Sequence, residues 1–526
     1  MKIFELVNCS ALFILINLVP VSCRAEINMS PKPLVELQKT YFIAADGNDN
    51  NDGSRKHPWK NISKVKGLVL QPGDAVLLQA GEIFSGTLVI NYHTNGTVDK
   101  PIVISSYGNG MATINSGEQV GIIINNSSHL RLQNIKVKGM GRKEGNTTNG
   151  ITISYCNNIR IDSMDIAGFQ KAGLQIRNCS ATIIQNVFAH DNGYAGIAVD
   201  GENFSKKECR DIGILNCRAE NNPGDPTNFN NHSGNGIVVS QCTNVKIAYC
   251  TATNNGWDMP RIGNGPVGIW AWEADSVSIE HCLSYRNKTS NGGEDGGGFD
   301  FDGGITNSVI QYCLSYENEG SGIGLFQYAG ATAWNNNTIR YNTSINDGNV
   351  SAAKAGIYIW NSSYENKLQH SFIYNNTVYN NKNAAIRFAK ESANEGLVFY
   401  NNILVANNEI ISGDSIAGKY LGNCWWSFSS GFDVQKINNF QTWARYYQQE
   451  ILDGKIIGIN INPGFANIST INTSDAKTLA SFDALKANNT LLLNGGIDLL
   501  QLFGMATGGK DFNGGMAPVK GIGSSF

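Results

Sequence analysis

The sequence predicts an all-β fold: a single-stranded, right-handed parallel β-helix with an N-terminal cap and a small mixed C-terminal cap. A unit that starts with Gly-Ile or a close variant recurs every 23 to 40 residues from about residue 102. That interval is too short for βαβ units, and no segment of the region has a helical period. Similar residues also recur at equivalent positions of successive units, as coils stacked about 4.8 Å apart require.

The composition narrows the class of protein. The chain of 526 residues contains 58 glycines, only 16% of its residues are charged, and its formal net charge is −3. Aromatic and β-branched residues are abundant, which is unlike a disordered chain. Since no basic patch is evident, we expect no nucleic-acid partner. We also expect a monomer.

The first 25 residues have the pattern of a secretory signal peptide. Lys2 provides a positive start, residues 11–19 are apolar apart from one asparagine, and residues 23–25 end on alanine. The apolar run is too short for a membrane span, and no later run reaches that length. We expect cleavage after Ala25 and a protein that is secreted, periplasmic or at the cell surface; lipidation of Cys23 is the alternative.

The rest of the chain divides into three parts. Residues 26–101 are expected to form the N-terminal cap, with short strands and a short helix. Residues 102–410 carry the repeats of the β-helix. Residues 411–526 are expected to form the C-terminal capping region, with an amphipathic helix near 440–450, because the open ends of a solenoid need covers.

One column of residues is predicted to face the interior of the coils. Its members are Ile135, Met164, Val187, Cys217, Cys250, Cys282, Cys313, Asn342, Asn376 and Asn402. Stacked asparagine amides hydrogen-bond from coil to coil. Nine cysteines follow the signal segment, an odd number, and we interpret them as reduced core residues; a disulfide between stacked neighbours is the alternative.

Two columns of the first strand are predicted to face outward, because the position between them is apolar in each coil. The third strand residue reads Thr152, Gln175, Ala198, Val238, Trp270, Asp300, Gly324, Tyr358 and Arg387, and the fifth reads Ser154, Arg177, Asp200, Ser240, Trp272, Asp302, Phe326, Trp360 and Ala389. Aromatic residues flanking a carboxylate pair favour a sugar-binding groove. Its expected walls are the insertions at 220–235, 254–266, 286–297 and 328–337; alternatively, these loops bury the aromatics as a satellite core.

The most unusual stretch is residues 292–304, GGEDGGGFDFDGG, with four carboxylates. Strand geometry places Asp300 and Asp302 on the same side, about 7 Å apart. Like charges at that distance repel each other, which indicates a bound cation, a proton or a substrate. A solvated acidic loop followed by an ordinary edge strand is the alternative.

The chain resembles the pectate-lyase-like superfamily of right-handed parallel β-helix proteins over nearly its whole mature length. The resemblance is carried near the start by DGND at 46–49, NDGS at 51–54, PW at 58–59 and PGD at 72–74, and near the end by NPGF at 462–465 and DFNG at 511–514. These blocks mark the fold. They imply a secreted protein whose partner is a polysaccharide.

The acidic stretch is similar to the calcium site of pectate lyases, which implies a polysaccharide lyase that cleaves a uronic-acid polymer by β-elimination. The implied Ca²⁺ ligands are Glu294, Asp295, Asp300 and Asp302. A basic side chain would remove the proton next to the substrate carboxylate. The candidate bases are Lys354, Arg387 and Lys390.

Two alternatives stay open. In a glycoside hydrolase, Asp300 and Asp302 would be the catalytic carboxylate pair, and the aromatic flanks would suit neutral sugars. In a non-catalytic glycan-binding or adhesin-type solenoid, the acids would hold a structural ion. The residues expected to contact the sugar are Arg177, Trp270, Trp272, Phe326, Tyr358 and Trp360.

Overall fold

The backbone winds into a right-handed parallel β-helix, as the sequence predicts. The structure is a computed structural model that describes residues 38–203, 206–350, 355–389, 394–413, 416–465, 485–486 and 489–526. The signal segment predicted at 1–25 lies outside these residues. No helix among the described residues is long and apolar enough to cross a membrane.

The strands are short and follow one another through tight corners. The first twenty are β1 Thr40–Ile43, β2 Ala75–Gln79, β3 Ile83–Ser85, β4 Leu88–Ile90, β5 Ile102–Tyr107, β6 Ala112–Gly117, β7 Ile122–Asn125, β8 Ser128–Gly139, β9 Ile151–Ser154, β10 Asn157–Ala167, β11 Ala172–Arg177, β12 Ser180–Gln185, β13 Phe188–His190, β14 Ala195–Asp200, β15 Cys209–Leu215, β16 Arg218–Glu220, β17 Asn235–Ser240, β18 Cys242–Ala248, β19 Thr251–Thr253 and β20 Val267–Trp272. The next are β21 Asp275–Glu280, β22 Leu283–Tyr285, β23 Gly297–Asp302, β24 Val309–Gln311, β25 Leu314–Tyr316, β26 Ile323–Gln327, β27 Asn337–Arg340, β28 Thr343–Ile345, β29 Ala355–Asn361, β30 Leu368–Tyr374, β31 Thr377–Asn380, β32 Ala384–Phe388, β33 Asn394–Tyr400, β34 Ile403–Ala406, β35 Ile411–Ser412, β36 Lys419–Leu421, β37 Cys424–Ser427, β38 Ile451–Leu452, β39 Lys455–Ile456 and β40 Ile459–Asn460.

The helices are few and short. A 3₁₀ helix spans Ile62–Gly67, and the α-helices are α1 Phe440–Tyr446, α2 Thr490–Asn494 and α3 Leu499–Phe503. Helix α1 lies within the amphipathic segment predicted at 440–450. It buries Phe440, Trp443 and Ala444 in the main core, and its N-terminus is capped by the Asn439 side chain.

The first strand of each coil belongs to a sheet of twelve parallel strands, in the order β4, β7, β9, β11, β14, β17, β20, β23, β26, β29, β32 and β35. The other faces are hydrogen-bonded into one sheet of 26 strands, because the long strands β8 and β10 pair with strands on two faces. The residues between the two outward columns of the twelve-stranded sheet are buried in the core, among them Ile176, Phe301 and Phe388.

The coils extend into both segments that the sequence assigns to caps. Strands β1 and β2 already pair in parallel with the coil above, and β36 and β37 stack on β33 and β34. The stacking therefore starts near residue 40 and continues past residue 410, where the Gly-Ile signal that defines the repeat in the sequence fades.

Two ladders of buried side chains run along the interior. In one, Asn342, Asn376, Asn402 and Asn423 each pass an amide hydrogen bond of 3.0 Å or shorter to the next coil, ending on Glu450. The other ladder passes amide hydrogen bonds of 2.8 to 3.2 Å from coil to coil and ends on Asp347; its members are Asn192, Asn222, Asn255, Asn287 and Asn318. Each ladder thus ends on a carboxylate, which accepts the last amide proton.

The nine cysteines that follow the signal segment are all buried and reduced. Cys156, Cys179, Cys209 and Cys242 form one column, and Cys217, Cys250, Cys282 and Cys313 form another. Burial raises the pKa of thiols such as Cys250 and Cys282. They pack as small apolar residues, in accord with the interpretation from the sequence.

Candidate functional site

A cavity of about 540 Å³ lies on the outer face of the twelve-stranded sheet. Its floor comes from successive strands β20, β23, β26 and β29, and its walls come from loops. The lining residues are Asn230, Asn231, His232, Arg261, Asn264, Trp270, Trp272, Glu294, Asp295, Asp302, Phe326, Tyr328, Tyr358 and Trp360. The size is within the usual range for small-ligand sites.

Strand register aligns the outward columns as the sequence predicts. Trp270 pairs with Asp300, Asp300 with Gly324, Gly324 with Tyr358, and Tyr358 with Arg387. Because a parallel sheet stacks these positions, residues far apart in the chain reach one cavity.

The four long insertions supply the walls of this cavity. Asn230–His232 come from the first insertion, Arg261 and Asn264 from the second, Glu294 and Asp295 from the third, and Tyr328 from the fourth. The same loops also bury part of the aromatic face. Trp270 packs in a satellite cluster with Ala198, Val238 and Val267, so the loops both wall the cavity and cover part of the aromatic face.

Three carboxylates of the acidic stretch, Glu294, Asp295 and Asp302, line the cavity, and two of them, Asp295 and Asp302, interact electrostatically. Asp302, at the end of β23, is half-buried and accepts a hydrogen bond from the Gly303 amide at 2.8 Å. The Gly265 amide, in the second insertion, donates to Asp295 Oδ2 at 2.8 Å and orients that carboxylate. Burial, and then the charges of Asp295 and Glu273, raise the pKa of Asp302 to about 7.

Asp300 occupies a different environment from Asp302, although only one residue separates them. Its side chain is 3% exposed and is not among the cavity-lining residues. A Cβ on Gly324 would lie 2.9 Å from Asp300 Oδ1 and 2.7 Å from the Phe326 ring. The space that glycine leaves over Asp300 is therefore filled by Phe326, and the structure does not expose Asp300 and Asp302 as a pair.

Glu273 is a further acid at this site that the sequence analysis did not single out. It directly follows β20 and is 1% exposed. Its Oε1 accepts from the Thr332 amide at 2.8 Å, and burial raises its pKa. Its one sequence signal is its place directly after Trp272, at the end of a strand whose outward residues were already candidates.

His232, Arg261 and Tyr328 were also missed, because they lie in insertions that share no repeat. Arg261 is the one lysine or arginine among the described lining residues. Tyr328 packs against Gly303, where a Cβ would lie 2.3 Å from the ring. Burial and the charge of Asp302 raise the pKa of Tyr328.

The remaining candidates lie apart from the cavity or outside the described residues. Arg177 forms a two-point ion pair with Asp200, at 2.7 and 3.1 Å, four coils from Asp302. Arg387 lies one coil above Tyr358 and hydrogen-bonds to its side chain. Lys354 and Lys390 lie outside the described residues.

The residues proposed as calcium ligands do not converge on one point. Asp295 and Asp302 line the cavity, Glu294 is largely exposed at its rim, and Asp300 is covered by Phe326. Among the described residues, no three His, Cys, Asp or Glu side chains form a group that could hold a metal ion. Calcium requires several oxygen ligands, so this donor set does not fit it.

Comparisons with known proteins agree with the fold. The family model described as "Pel9A-like, right handed beta helix region" matches residues 41–353. The lacto-N-biosidase of Bifidobacterium longum subsp. longum is 24% identical over 482 residues, covering 70% of this chain but 29% of that protein. The chain thus spans less than a third of this curated relative.

Solved structures are similar at low identity. The GH136 lacto-N-biosidase of Eubacterium ramulus superposes with a TM-score of 0.50 at 18% identity, over 71% of this chain and 67% of that one. The pectate lyase Pel9A superposes with a TM-score of 0.46 at 16% identity, over 92% of this chain and 96% of that one. At these identities the similarity shows the fold alone.

Proposed function

This chain belongs to the Pel9A-like right-handed β-helix family, and from that premise we propose that it is an exported glycoside hydrolase. It cleaves a neutral glycan with Asp302 as general acid and Asp295 as the second carboxylate. The observation that carries the proposal is that both acids line one cavity and that the pKa of Asp302 is raised to about 7. Glycosidases need one protonated and one ionised carboxyl group flanking the scissile bond.

The chemistry assigns each acid a different step. Asp302 donates its proton to the glycosidic oxygen as the bond breaks, which gives a neutral leaving group. Asp295, oriented by the Gly265 amide, acts as the carboxylate that attacks the anomeric carbon or removes a proton from the attacking water. Which of the two it does decides whether the product retains or inverts the anomeric configuration.

The lining of the cavity supports a neutral substrate. Trp272, Tyr358 and Trp360 present partly exposed rings on which the flat faces of sugars can stack. Among the residues that the structure describes, three carboxylates and one arginine line the cavity, a net negative lining that disfavours a polyanion. A lacto-N-biosidase, which is a glycoside hydrolase, is among the similar proteins.

The test is a screen of the purified chain on neutral oligosaccharides and polymers, with reducing ends as the readout. We expect turnover in the wild type, and at least a hundredfold loss in both Asp302→Asn and Asp295→Asn with an unchanged circular dichroism spectrum. Asp300→Asn decides between carboxylate pairs. Loss of turnover in Asp300→Asn with activity intact in Asp295→Asn would contradict the assignment.

A polysaccharide lyase is the second candidate, and one contact favours it. Tyr358 lines the cavity and hydrogen-bonds to Arg387, so the pair could remove a proton from a bound uronate. The discriminating result is a rise in absorbance near 235 nm on pectin or alginate that depends on Arg387 and not on Asp302.

A further inference from the structure

His232 is part of the cavity wall and is held on two sides by aromatic rings. Its side chain is 5% exposed. The imidazole meets Trp270 edge to face at 4.8 Å and lies 5.7 Å from the Tyr194 ring. These contacts fix the plane of the ring, because neither neighbour can move without disturbing the satellite cluster beneath.

The neighbouring amide of Asn235 determines which ring nitrogen carries the proton. Asn235 Oδ1 accepts from Trp270 Nε1 at 3.1 Å and from the Val267 amide at 3.3 Å, and both of those groups can only donate. The Nδ2 group of Asn235 must therefore be the one that faces His232 Nδ1, at 2.9 Å. Since Nδ2 is a donor, Nδ1 accepts, and the proton of the neutral ring is on Nε2.

The ring is also uncharged at neutral pH. Burial, and then the positive charge of Arg261, lower the pKa of His232 to about 4. Within the part of the chain that the structure describes, Nε2 has no hydrogen-bonding partner in the protein. Nε2 is not among the described buried nitrogens that lack a partner, and His232 lines the cavity, so its N–H is a donor available to a ligand.

We propose that His232 is a specificity-determining residue whose Nε2–H donates a hydrogen bond to an uncharged acceptor oxygen of the bound sugar. The inference rests on the proposed function of the same cavity. Two sources supply such an oxygen: a sugar hydroxyl, or the carbonyl of an acylamino substituent. Both oxygens can accept a hydrogen bond from a neutral imidazole. The adjacent Trp270 ring provides an apolar surface for the carbon atoms around the acceptor.

The test measures binding by calorimetry in the Asp302→Asn background, so that it does not depend on turnover. Lactose and N-acetyllactosamine are the probes, because they differ by a hydroxyl and an acetamido group. His232→Phe keeps the ring and removes the donor, and we expect it to weaken binding about tenfold to a hundredfold. His232→Gln keeps a donor near the position of Nε2, and we expect it to recover most of that loss.

The outcomes separate the two sources and the two proposals. If His232→Phe weakens the binding of N-acetyllactosamine alone, the acceptor is the acetamido carbonyl. If it weakens the binding of both probes equally, the acceptor is a hydroxyl. Equal affinities of His232→Phe and the parent, failure of His232→Gln to recover any loss, or no binding of either probe would overturn the inference. Sugar binding that depends on His232, together with absent turnover in the wild type, would support this inference while overturning the hydrolase proposal.

Discussion

Asp302 lies at the boundary between the β-helix and solvent, and its protonation is predicted to control the rate. As general acid it must carry a proton, and its pKa is about 7. We therefore expect kcat/KM to fall as the pH rises through about 7, whereas below that value the acid stays protonated. A pH–rate profile of the wild-type enzyme checks this, and a basic limb far above pH 8 would contradict it.

Substitution of Glu273 is expected to shift that pH–rate profile. Its charge is one of the causes that raise the pKa of Asp302, yet it is not among the lining residues. In Glu273→Gln we expect the basic limb to move to lower pH, by roughly half a unit to one unit. An unchanged midpoint with a normal maximal rate would show that Glu273 does not act on Asp302.

The positions of the aromatic rings in the cavity depend on Gly324. A methyl group there would overlap the Phe326 ring, which is in edge contact with Tyr358 and Trp360. We expect Gly324→Ala to lower kcat/KM by about tenfold or more, because these rings would shift. Gly67→Ala is the control, since nothing lies within 4 Å of its Cβ; equal activity of the two variants would contradict the prediction.

The sequence predicts part of this site because side chains alternate between the two faces of a strand and the repeat sets the register between coils. Together they determine which side chains point outward. Trp272, Asp302, Tyr358 and Trp360 could be placed on one face in register, and they line the cavity. The burial of Asp300 could not be predicted, because it depends on the rotamer of Phe326 on the next coil. Loop residues such as His232 have no periodicity, so only the folded insertions show that they reach the cavity.

At the scale of the elements, the asparagine ladders tie each coil to the next. The sequence predicted one ladder from the regular spacing of its column. The second ladder, from Asn192 to Asn318, was not predicted. Its end at Asp347 was not predicted, because an aspartate replaces asparagine at that position and so breaks the sequence pattern. The aspartate is the final acceptor of the hydrogen-bond chain.

Breaking a ladder in the middle should cost more than losing one exposed hydrogen bond. Asn287 accepts from Asn255 at 2.9 Å and donates to Asn318 at 3.0 Å. We expect Asn287→Ala to destabilise the protein by about 2–4 kcal/mol, since it leaves buried polar partners unpaired. Urea unfolding measures the loss. Asn157→Ala, which removes one exposed contact to Ser180, is the control, and equal effects would contradict the prediction.

At the scale of the whole molecule, stability should depend on pH through the buried ladder ends. Glu450 is fully buried, and burial raises its pKa to about 7; that of Asp347 is raised to about 6. The folded state therefore holds protons that the unfolded state has released. This contribution is complete below about pH 4 and is lost as the pH rises to about 7.

Glu450→Gln isolates that contribution. The amide keeps an acceptor for Asn423 and Trp425 and does not ionise. We expect the wild type and the variant to melt at similar temperatures at pH 5. Between pH 5 and pH 8 we expect the free energy of unfolding of the variant to increase relative to that of the wild type, by on the order of 1–3 kcal/mol. Scanning calorimetry across this range is the measurement, and a constant difference would contradict the pKa assignment.

The proposed reaction of this molecule is hydrolysis, and one measurement tests this directly. The purified protein would be incubated in ¹⁸O-labelled water with its neutral glycan substrate and, separately, with a uronate polymer such as pectin or alginate. The products would be weighed by mass spectrometry while absorbance near 235 nm is followed. Hydrolysis by Asp302 and Asp295 predicts one ¹⁸O atom at the new reducing end, no rise in absorbance, and loss of both products in Asp302→Asn. An unlabelled, unsaturated product with rising absorbance would contradict the account and establish β-elimination.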